Sequence, residues 1–230
     1  MNSEQEQQLA ALSGRIVALY AEVKKHVIAS EKLSPGARVS VPALNELRNA
    51  FDHYMRATAV WRHGLKPVQG AEQDPFKYCE KNLQKALGHI YRAGYDALDV
   101  ITLNRIRQIE KYADSYSVST LHAVISDYAT RVRRPFEEGV RQCDGAKQGK
   151  DVEPDKTEQH LTFFAEYRAS ILKLDSVLEV LHAHDKDMAA VEDEARQQYR
   201  KQRDWALWGI VATVITAIVA IVITLWLACK

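Results

Sequence analysis

An uncharged run at the carboxyl end most constrains how this chain of 230 residues folds. Residues 205–229 contain no Asp, Glu, Lys, Arg or His, and they read WALWGIVATVITAIVAIVITLWLAC. A helix needs about 20 apolar residues to cross the hydrocarbon of a bilayer, where no water satisfies polar groups. Core helices of soluble proteins seldom stay apolar on every face for this long. The run therefore predicts one transmembrane helix over residues 205–229.

Residues near the two ends of this run predict how the helix sits in the membrane. Tryptophan prefers the headgroup level, and basic residues attract anionic headgroups at about 1 kcal/mol per charge. The predicted membrane-interface residues are Arg196, Arg200, Lys201, Arg203, Trp205, Trp208 and Trp226. Because basic residues cluster before the run and only Lys230 follows it, the positive-inside rule places the N-terminal part in the cytoplasm. We expect a tail-anchored, single-pass membrane protein whose first partner is the lipid bilayer.

The membrane segment also carries a row of small residues that predicts self-association. Small side chains let helix backbones approach closely, and a four-residue spacing favours a right-handed crossing. The row consists of Gly209, Ala212, Thr216, Ala220 and Thr224. Alanine and threonine are also common filler in such helices, so this interpretation has an ordinary alternative. We expect a homo-oligomer, a dimer or higher, and a different protein partner is also open.

Charge and cysteine content narrow the function classes. The 31 basic and 30 acidic residues nearly cancel, so the chain has no overall attraction for nucleic acid. The three cysteines, Cys79, Cys143 and Cys229, are too few for a disulfide framework, which is typical of a reducing compartment. The sequence contains no His-Glu-x-x-His, no Cys-x-x-Cys and no phosphate-binding loop. We therefore expect no metal and no cofactor.

Apolar residues three or four apart predict an all-α fold, an up-and-down bundle of four to five helices. A first helix has a face of Leu9, Leu12, Ile16, Leu19, Val23 and Val27. A second begins near Pro42, with a predicted core stripe of Leu44, Leu47, Phe51, Tyr54 and Trp61. A third runs from Pro75 to about Asp114, and its inward residues are Leu83, Leu87, Ile90, Gly94, Leu98 and Ile101.

The second half of the chain is predicted in the same way. Ser117 to Thr120 can cap a fourth helix, which Pro135 should kink or end. Pro35-Gly36 marks a turn after the first helix. Residues 143–156 form a polar linker, and a fifth helix starts near Lys156. We divide the chain into a cytosolic bundle (1–181), a charged helical stalk (182–204) and the transmembrane helix (205–229).

One group of residues on the second helix has the chemistry of a candidate active site. Asn49 and His53 are four residues apart and therefore share one helix face. This face points away from the predicted core stripe. Arg48 lies beside them, and its long side chain can reach toward His53. Cleaving RNA through its 2′-hydroxyl needs a proton carrier and a cation near the phosphate, and histidine and arginine supply both.

The segment Arg48-Asn49-Ala50-Phe51-Asp52-His53 resembles the motif of the HEPN superfamily of helical-bundle proteins, an Arg and a His separated by four to six residues. Many HEPN proteins are metal-independent endoribonucleases of defence systems that dimerise to form one cleft. The resemblance implies that His53 is the general acid or base, that Arg48 binds phosphate and that Asn49 supports them. RNA would then be a partner.

Two ordinary interpretations stay open beside this one. Arg48, Asp52 and Arg56 form an i, i+4 ladder that is common on exposed helix faces. Arg56 and His63 make a second match to the same loose motif, and His89 or Arg92 can line a cleft on the third helix.

The sequence thus leaves two possible functions open. The chain is either a membrane-tethered endoribonuclease of a defence or stress system, or a non-enzymatic module that oligomerises through its bundle and transmembrane helix.

Overall fold

In the computed structural model of this chain, the described residues are 1–34, 40–67, 71–147, 150 and 157–228. Every regular element within these ranges is a helix, and they contain no strand. The elements are α1 (Ser3–Leu33), α2 (Val41–His63), α3 (Pro75–Ser115), α4 (Val118–Val124), a π-helical turn (Ala129–Arg133), α5 (Arg134–Lys147) and α6 (Thr157–Ala228). The all-α class and the long apolar C-terminal helix are confirmed. The Pro35-Gly36 turn, Lys156 and Cys229 lie outside the described residues.

The chain divides into two compact units. Unit 1 comprises Met1–Lys111 and Ala129–Leu181, and unit 2 comprises Tyr112–Tyr128 and His182–Lys230. Two long helices, α3 and α6, therefore begin in unit 1 and end in unit 2.

Helix α1 forms as the sequence predicts. Asn2 caps it, because its Oδ1 accepts from the backbone N–H of Gln5 at 2.8 Å and Gln5 Oε1 accepts from the N–H of Asn2 at 2.9 Å. This reciprocal pair satisfies N–H groups that have no partner inside the helix. Five of the six predicted core residues are buried, and Leu12 is half-buried.

Helix α3 lies at the centre of unit 1 and contacts four other helices. Asp74 caps it through bonds from the backbone N–H groups of Phe76 and Lys77, and Pro75 is its first residue. All six predicted inward residues of α3 are buried. Near its middle, Gly94 leaves space for the ring of Phe164 from α6 and the side chain of Val23 from α1. The missing side chain at Gly94 thus lets three helices meet.

Helix α2 begins near Pro42 as predicted, but the predicted core stripe of α2 is wrong. Leu44 is 53% exposed and Phe51 is 65% exposed, while Leu47, Tyr54 and Trp61 are half-buried. The fully buried residues of α2 are instead Ala43, Ala50, Ala57 and Val60. The three alanines are seven residues apart, so they recur on one face of the helix and let its backbone approach its neighbours closely. Packing favours this small face over the larger apolar one.

The predicted fourth helix is also wrong in part. Ser117 caps α4 as expected, but the helix ends at Val124, and Asp127 adopts a left-handed conformation with φ 56°. The chain then continues through the π-helical turn into α5. Pro135 does not end this helix, because the π-helical turn passes directly into α5 and Pro135 is the second residue of α5. The predicted linker is helical up to Lys147.

The predicted fifth helix, stalk and transmembrane helix form one unbroken helix, α6. Within unit 2, the Tyr116 hydroxyl donates to Asp185 Oδ1 at 2.8 Å, and Glu192 accepts from the backbone N–H of Ser117 at 3.0 Å. The buried residues there include Leu121, Ile125 and Met188. Polar bonds and a small apolar core thus hold the α4 segment against the middle of α6.

Substituting Gly94 tests the close approach in unit 1. An added Cβ would lie 2.7 Å from Phe164 Cε2 and 3.0 Å from Val23 Cγ2, which forces a shift. We expect Gly94→Ala to lower the free energy of unfolding by about 1–3 kcal/mol, measured as a fall in Tm of the full chain in detergent by circular dichroism.

Gly14→Ala is the matched control, because Gly14 lies in α1 with nothing within 4 Å of an added Cβ. It should raise stability by roughly 0.5–1 kcal/mol, the ordinary gain for replacing a helical glycine. Equal gains in Tm for both variants would contradict the packing described here.

Candidate functional site

The alanine face of α2 brings polar side chains into the contact between α2 and α3. Between its alanines, α2 places Glu46 and His53 at inward positions, three residues after Ala43 and Ala50. From α3, Asn82, His89 and Arg92 face them. We call these five residues the histidine cluster: Glu46, His53, Asn82, His89 and Arg92. Its side chains are half-buried, except for that of Asn82, which is buried.

Asn82 fixes the orientation and the tautomer of His53. The Asn82 amide nitrogen donates to the backbone carbonyl of Tyr78 at 2.8 Å, so its oxygen points the other way. That oxygen lies 2.9 Å from His53 Nδ1 and can only accept. His53 Nδ1 is therefore the donor, and in the neutral ring Nε2 carries the lone pair. A histidine held in this way has its free nitrogen ready to accept a proton.

His89 is held by an ion pair. Its Nδ1 lies 2.7 Å from Glu46 Oε2 and 2.8 Å from Arg92 Nη2. The carboxylate can only accept and the guanidinium can only donate, so Nδ1 cannot bond to both at once. Arg92 already donates to the same Glu46 oxygen through Nε at 3.0 Å. We infer that His89 Nδ1 carries a proton and donates it in a hydrogen bond to Glu46 Oε2. Arg92 Nη2 is then a nearby positive charge and does not form a hydrogen bond with His89.

The two imidazoles stack, and the cluster keeps His89 neutral. The rings of His53 and His89 are 5.3 Å apart between centroids and 12° from parallel. Burial lowers the pKa of His89, and the Arg92 and His53 charges lower it further, although Glu46 opposes them. For Glu46, burial alone would raise the pKa, but the bonds from His89 and Arg92 hold it below its usual value. The resting cluster therefore pairs a glutamate with an arginine beside a neutral His89.

The predicted catalytic residues are not placed together on an outward face. Arg48 is exposed and Asn49 is half-buried, whereas His53 turns inward to Asn82 and His89. The prediction that His53 points away from the core is wrong, because the buried face of α2 is the alanine face. The roles of Arg48, Asn49 and His53 in catalysis stay predictions.

One ion pair of the predicted i, i+4 ladder of Arg48, Asp52 and Arg56 is formed. Asp52 and Arg56 form the i, i+4 ion pair at 2.8 Å, with both side chains about half exposed.

Sequence reasoning missed Glu46 and Asn82, although it singled out His89 and Arg92. The one signal that pointed to Glu46 is the seven-residue spacing of alanines in α2, which puts Glu46 and His53 on the same inward side.

A second polar group lies farther along α3. Asp96 pairs with Lys150, and Asp99 accepts from the Tyr167 hydroxyl of α6. Cys143 lies 3.1 Å from Ser170 Oγ, and burial raises the pKa of its thiol. Across the described ranges, no three His, Cys, Asp or Glu side chains are grouped so that they could hold a metal ion. The bond between Asp99 and Tyr167 joins α3 to α6, and the contact between Cys143 and Ser170 joins α5 to α6.

The predicted membrane residues all lie on α6. Trp205, Trp208 and Trp226 are 79%, 70% and 58% exposed, and the basic residues before them are exposed too. In the small row, the hydroxyls of Thr216 and Thr224 donate to the carbonyls of Ala212 and Ala220, each at 2.8 Å. Within the part of the chain that the structure describes, α6 is the one helix long and apolar enough to cross a membrane.

Comparison with known proteins identifies no relative. No family model, curated protein or solved structure matches this chain. The function must therefore be argued from the contacts of the chain itself.

The histidine cluster predicts a specific pH dependence of stability. Because the pKa of His89 in the folded chain lies below its ordinary value of 6.5, the unfolded chain binds more protons between these two values. The stabilisation is present above pH 6.5 and is lost as the pH falls toward the folded pKa. We expect Tm to fall between pH 7.5 and 5.5, and His89→Gln to reduce that fall.

Some slope should remain in His89→Gln, because burial also lowers the pKa of His26 in α1. The measurement is Tm of the full chain against pH, by circular dichroism. An unchanged slope in the variant would show that folding does not lower the pKa of His89.

Proposed function

We propose that this chain is a tail-anchored, single-pass membrane protein whose helical bundle, of four to five helices, assembles copies of the chain on the cytoplasmic side. The observation that carries the proposal is α6, which is buried in unit 1 at Phe164 and Leu174 and later becomes exposed and apolar. Trp205 and Trp226 are 21 residues apart, which gives about 32 Å along a helix and suits a hydrocarbon core of about 30 Å. The basic residues before Trp205 favour a cytoplasmic bundle.

An apolar cleft on unit 1 supports assembly. Because α2 buries its alanines, its large apolar residues face outward beside α1. The cleft between α1 and α2 has a volume of about 430 Å³. Its lining residues are Ile16, Val17, Tyr20, Leu47, Ala50, Phe51, Tyr54, Met55 and Ile90. Exposed apolar patches of this kind mark protein–protein contacts. We take a second copy of the chain as the partner, because the small row of the span independently predicts self-association.

Charging the cleft should separate the copies. We expect Phe51→Glu to shift the full chain in nonionic detergent from oligomer to monomer, measured by light scattering after size exclusion. Phe51 is 65% exposed, so the change should leave Tm nearly unaltered. Leu172→Glu is the matched control, because Leu172 is 68% exposed but lies on α6 outside the cleft.

An oligomer that resists Phe51→Glu, or that Leu172→Glu disrupts equally, would argue against assembly through the cleft.

The membrane anchor has its own test. Alkaline carbonate should leave the full chain in the membrane pellet, and release into the supernatant would contradict membrane insertion.

A second candidate function is a metal-independent endoribonuclease of the HEPN type, and the hydrogen bond between His53 and Asn82 favours it. The Asn82 amide sets the tautomer so that His53 Nε2 can accept a proton from a ribose hydroxyl. Arg48, which is exposed, would bind the phosphate, and Asn49 would support it. Two copies joined through α2 would bring two such histidines near one RNA strand.

This candidate makes its own prediction. The full chain should cleave single-stranded RNA in the presence of EDTA and leave 2′,3′-cyclic phosphate ends. His53→Ala should slow cleavage by about 10²-fold or more, since general acid–base catalysis contributes about 10²–10⁴-fold. Asn82→Ala should slow it less and shift its pH profile.

His63→Ala is the control, because His63 ends the same helix in the second match to the motif. It should cleave like the unmodified chain. RNA that stays intact with the unmodified chain, or equal losses in the His53 and His63 variants, would remove the nuclease proposal and leave the assembly proposal standing.

A further inference from the structure

A groove in unit 2 lies just before the transmembrane segment. It runs between the start of α4 and α6 and has a volume of about 490 Å³. Its lining residues are Ser117, Ser119, Glu192, Ala195, Arg196, Tyr199, Arg200 and Arg203. Three arginines therefore line one groove, spaced four and three residues apart on the same face of α6.

The one acidic residue of this groove has its charge satisfied. Glu192 Oε2 accepts from the backbone N–H of Ser117 at 3.0 Å and from Thr120 Oγ1 at 2.7 Å, and Arg196 Nε lies 3.4 Å from Oε1. The bonds from Ser117 and Thr120 lower the pKa of Glu192 to about 2, so it stays ionised. Ser117 Oγ in turn donates to Thr120 Oγ1 at 2.9 Å. The Thr120 hydroxyl and the Ser117 backbone N–H thus satisfy Glu192 Oε2, and of the three arginines Arg196 is the one that contacts this glutamate.

Arg200 is the arginine with spare binding capacity. Arg196 lies against Glu192, and Arg203 Nη2 lies 3.3 Å from Asp204. Arg200 has no ion pair or side-chain hydrogen bond with any described residue. Its planar guanidinium can bind two phosphate oxygens at once, and Tyr199 offers a hydroxyl beside it.

The height of Arg200 along α6 points to the source of the phosphate. Arg200 precedes Trp205 by five residues, which is roughly 8 Å of helix. The polar layer on each side of a bilayer is about 5–8 Å thick. With Trp205 at the membrane interface, the groove opens at the level of lipid phosphates.

We propose that this groove binds the phosphate of an anionic phospholipid headgroup, with Arg200 as the main ligand and Arg196, Arg203 and Tyr199 beside it. The inference rests on the proposed membrane insertion of α6. One bound lipid would link the α4 segment to the membrane surface, which a diffuse layer of basic residues does not do.

The test uses the full chain in nonionic detergent at physiological salt, titrated with short-chain phosphatidylglycerol and followed by native mass spectrometry. We expect one lipid per chain, and at least about tenfold weaker binding in Arg200→Gln, because charge-assisted bonds are lost. Phosphatidylcholine should bind more weakly, since its choline carries a positive charge. Inorganic phosphate, the second arm, should not compete at concentrations that match the lipid.

Lys201→Gln is the matched control. It removes the same charge at the same height, but Lys201 does not line the groove. Its affinity should change less than about twofold, because salt screens exposed charges. Equal losses in the two variants would overturn the proposal in favour of general surface attraction, and competition by inorganic phosphate at equal concentration would overturn the lipid assignment.

The two proposals fail in different ways. If carbonate leaves the chain in the membrane but phosphatidylglycerol does not bind, the headgroup site is wrong and the anchor stands. If carbonate releases the chain, the anchor is wrong, and the headgroup site is wrong with it.

Discussion

The close approach of α2 to the centre of unit 1 is the constraint on which the candidate site depends. Ala43, Ala50 and Ala57 are each at most 4% exposed, and their small side chains let α2 approach its neighbours closely. At this short distance Glu46 and His53 reach partners on α3 rather than solvent. The same rotation of α2 sends its large apolar side chains outward. The polar cluster and the apolar cleft are therefore two consequences of one packing choice.

This choice explains why the sequence predicted α1 and α3 well and α2 poorly. In α1 and α3 nearly all residues of the regularly spaced apolar face are buried, so hydrophobic spacing identifies the inner face. In α2 two apolar sets compete, a small one led by Ala50 and a large one led by Phe51, and spacing alone favours the larger. Packing next to α3 decides between them, because interiors require close fit as well as apolar surface. A contact with another helix is not visible in the spacing of one.

The break after α4 was beyond prediction for a related reason. The apolar residues from Leu121 to Val132 keep a helical spacing through the break, so they gave no warning of it. The break is made at Asp127, a residue that tolerates a left-handed backbone but does not demand it. Pro135 misled in the opposite direction: a proline usually kinks or ends a helix, but here the π-helical turn continues directly into α5 across it. Both cases depend on backbone hydrogen bonding that the spacing of apolar residues does not show.

Part of the candidate site was visible in the sequence, and the rest needed the fold. His53 stands out because Arg48 and Asn49 are close to it along one helix, and His89 and Arg92 stand out on the next helix. Asn82 could not be chosen, since its importance comes from two bonds, one to Tyr78 of its own helix and one to His53 of another. Removing one member of such a group leaves a half-buried partner without its bond, which costs more than the bond itself contributes. Polar groups in the membrane segment differ, because each threonine of the small row bonds to its own helix. Association of the spans would therefore depend on fit between small side chains, whereas α2 and α3 are joined by hydrogen bonds that specify one alignment.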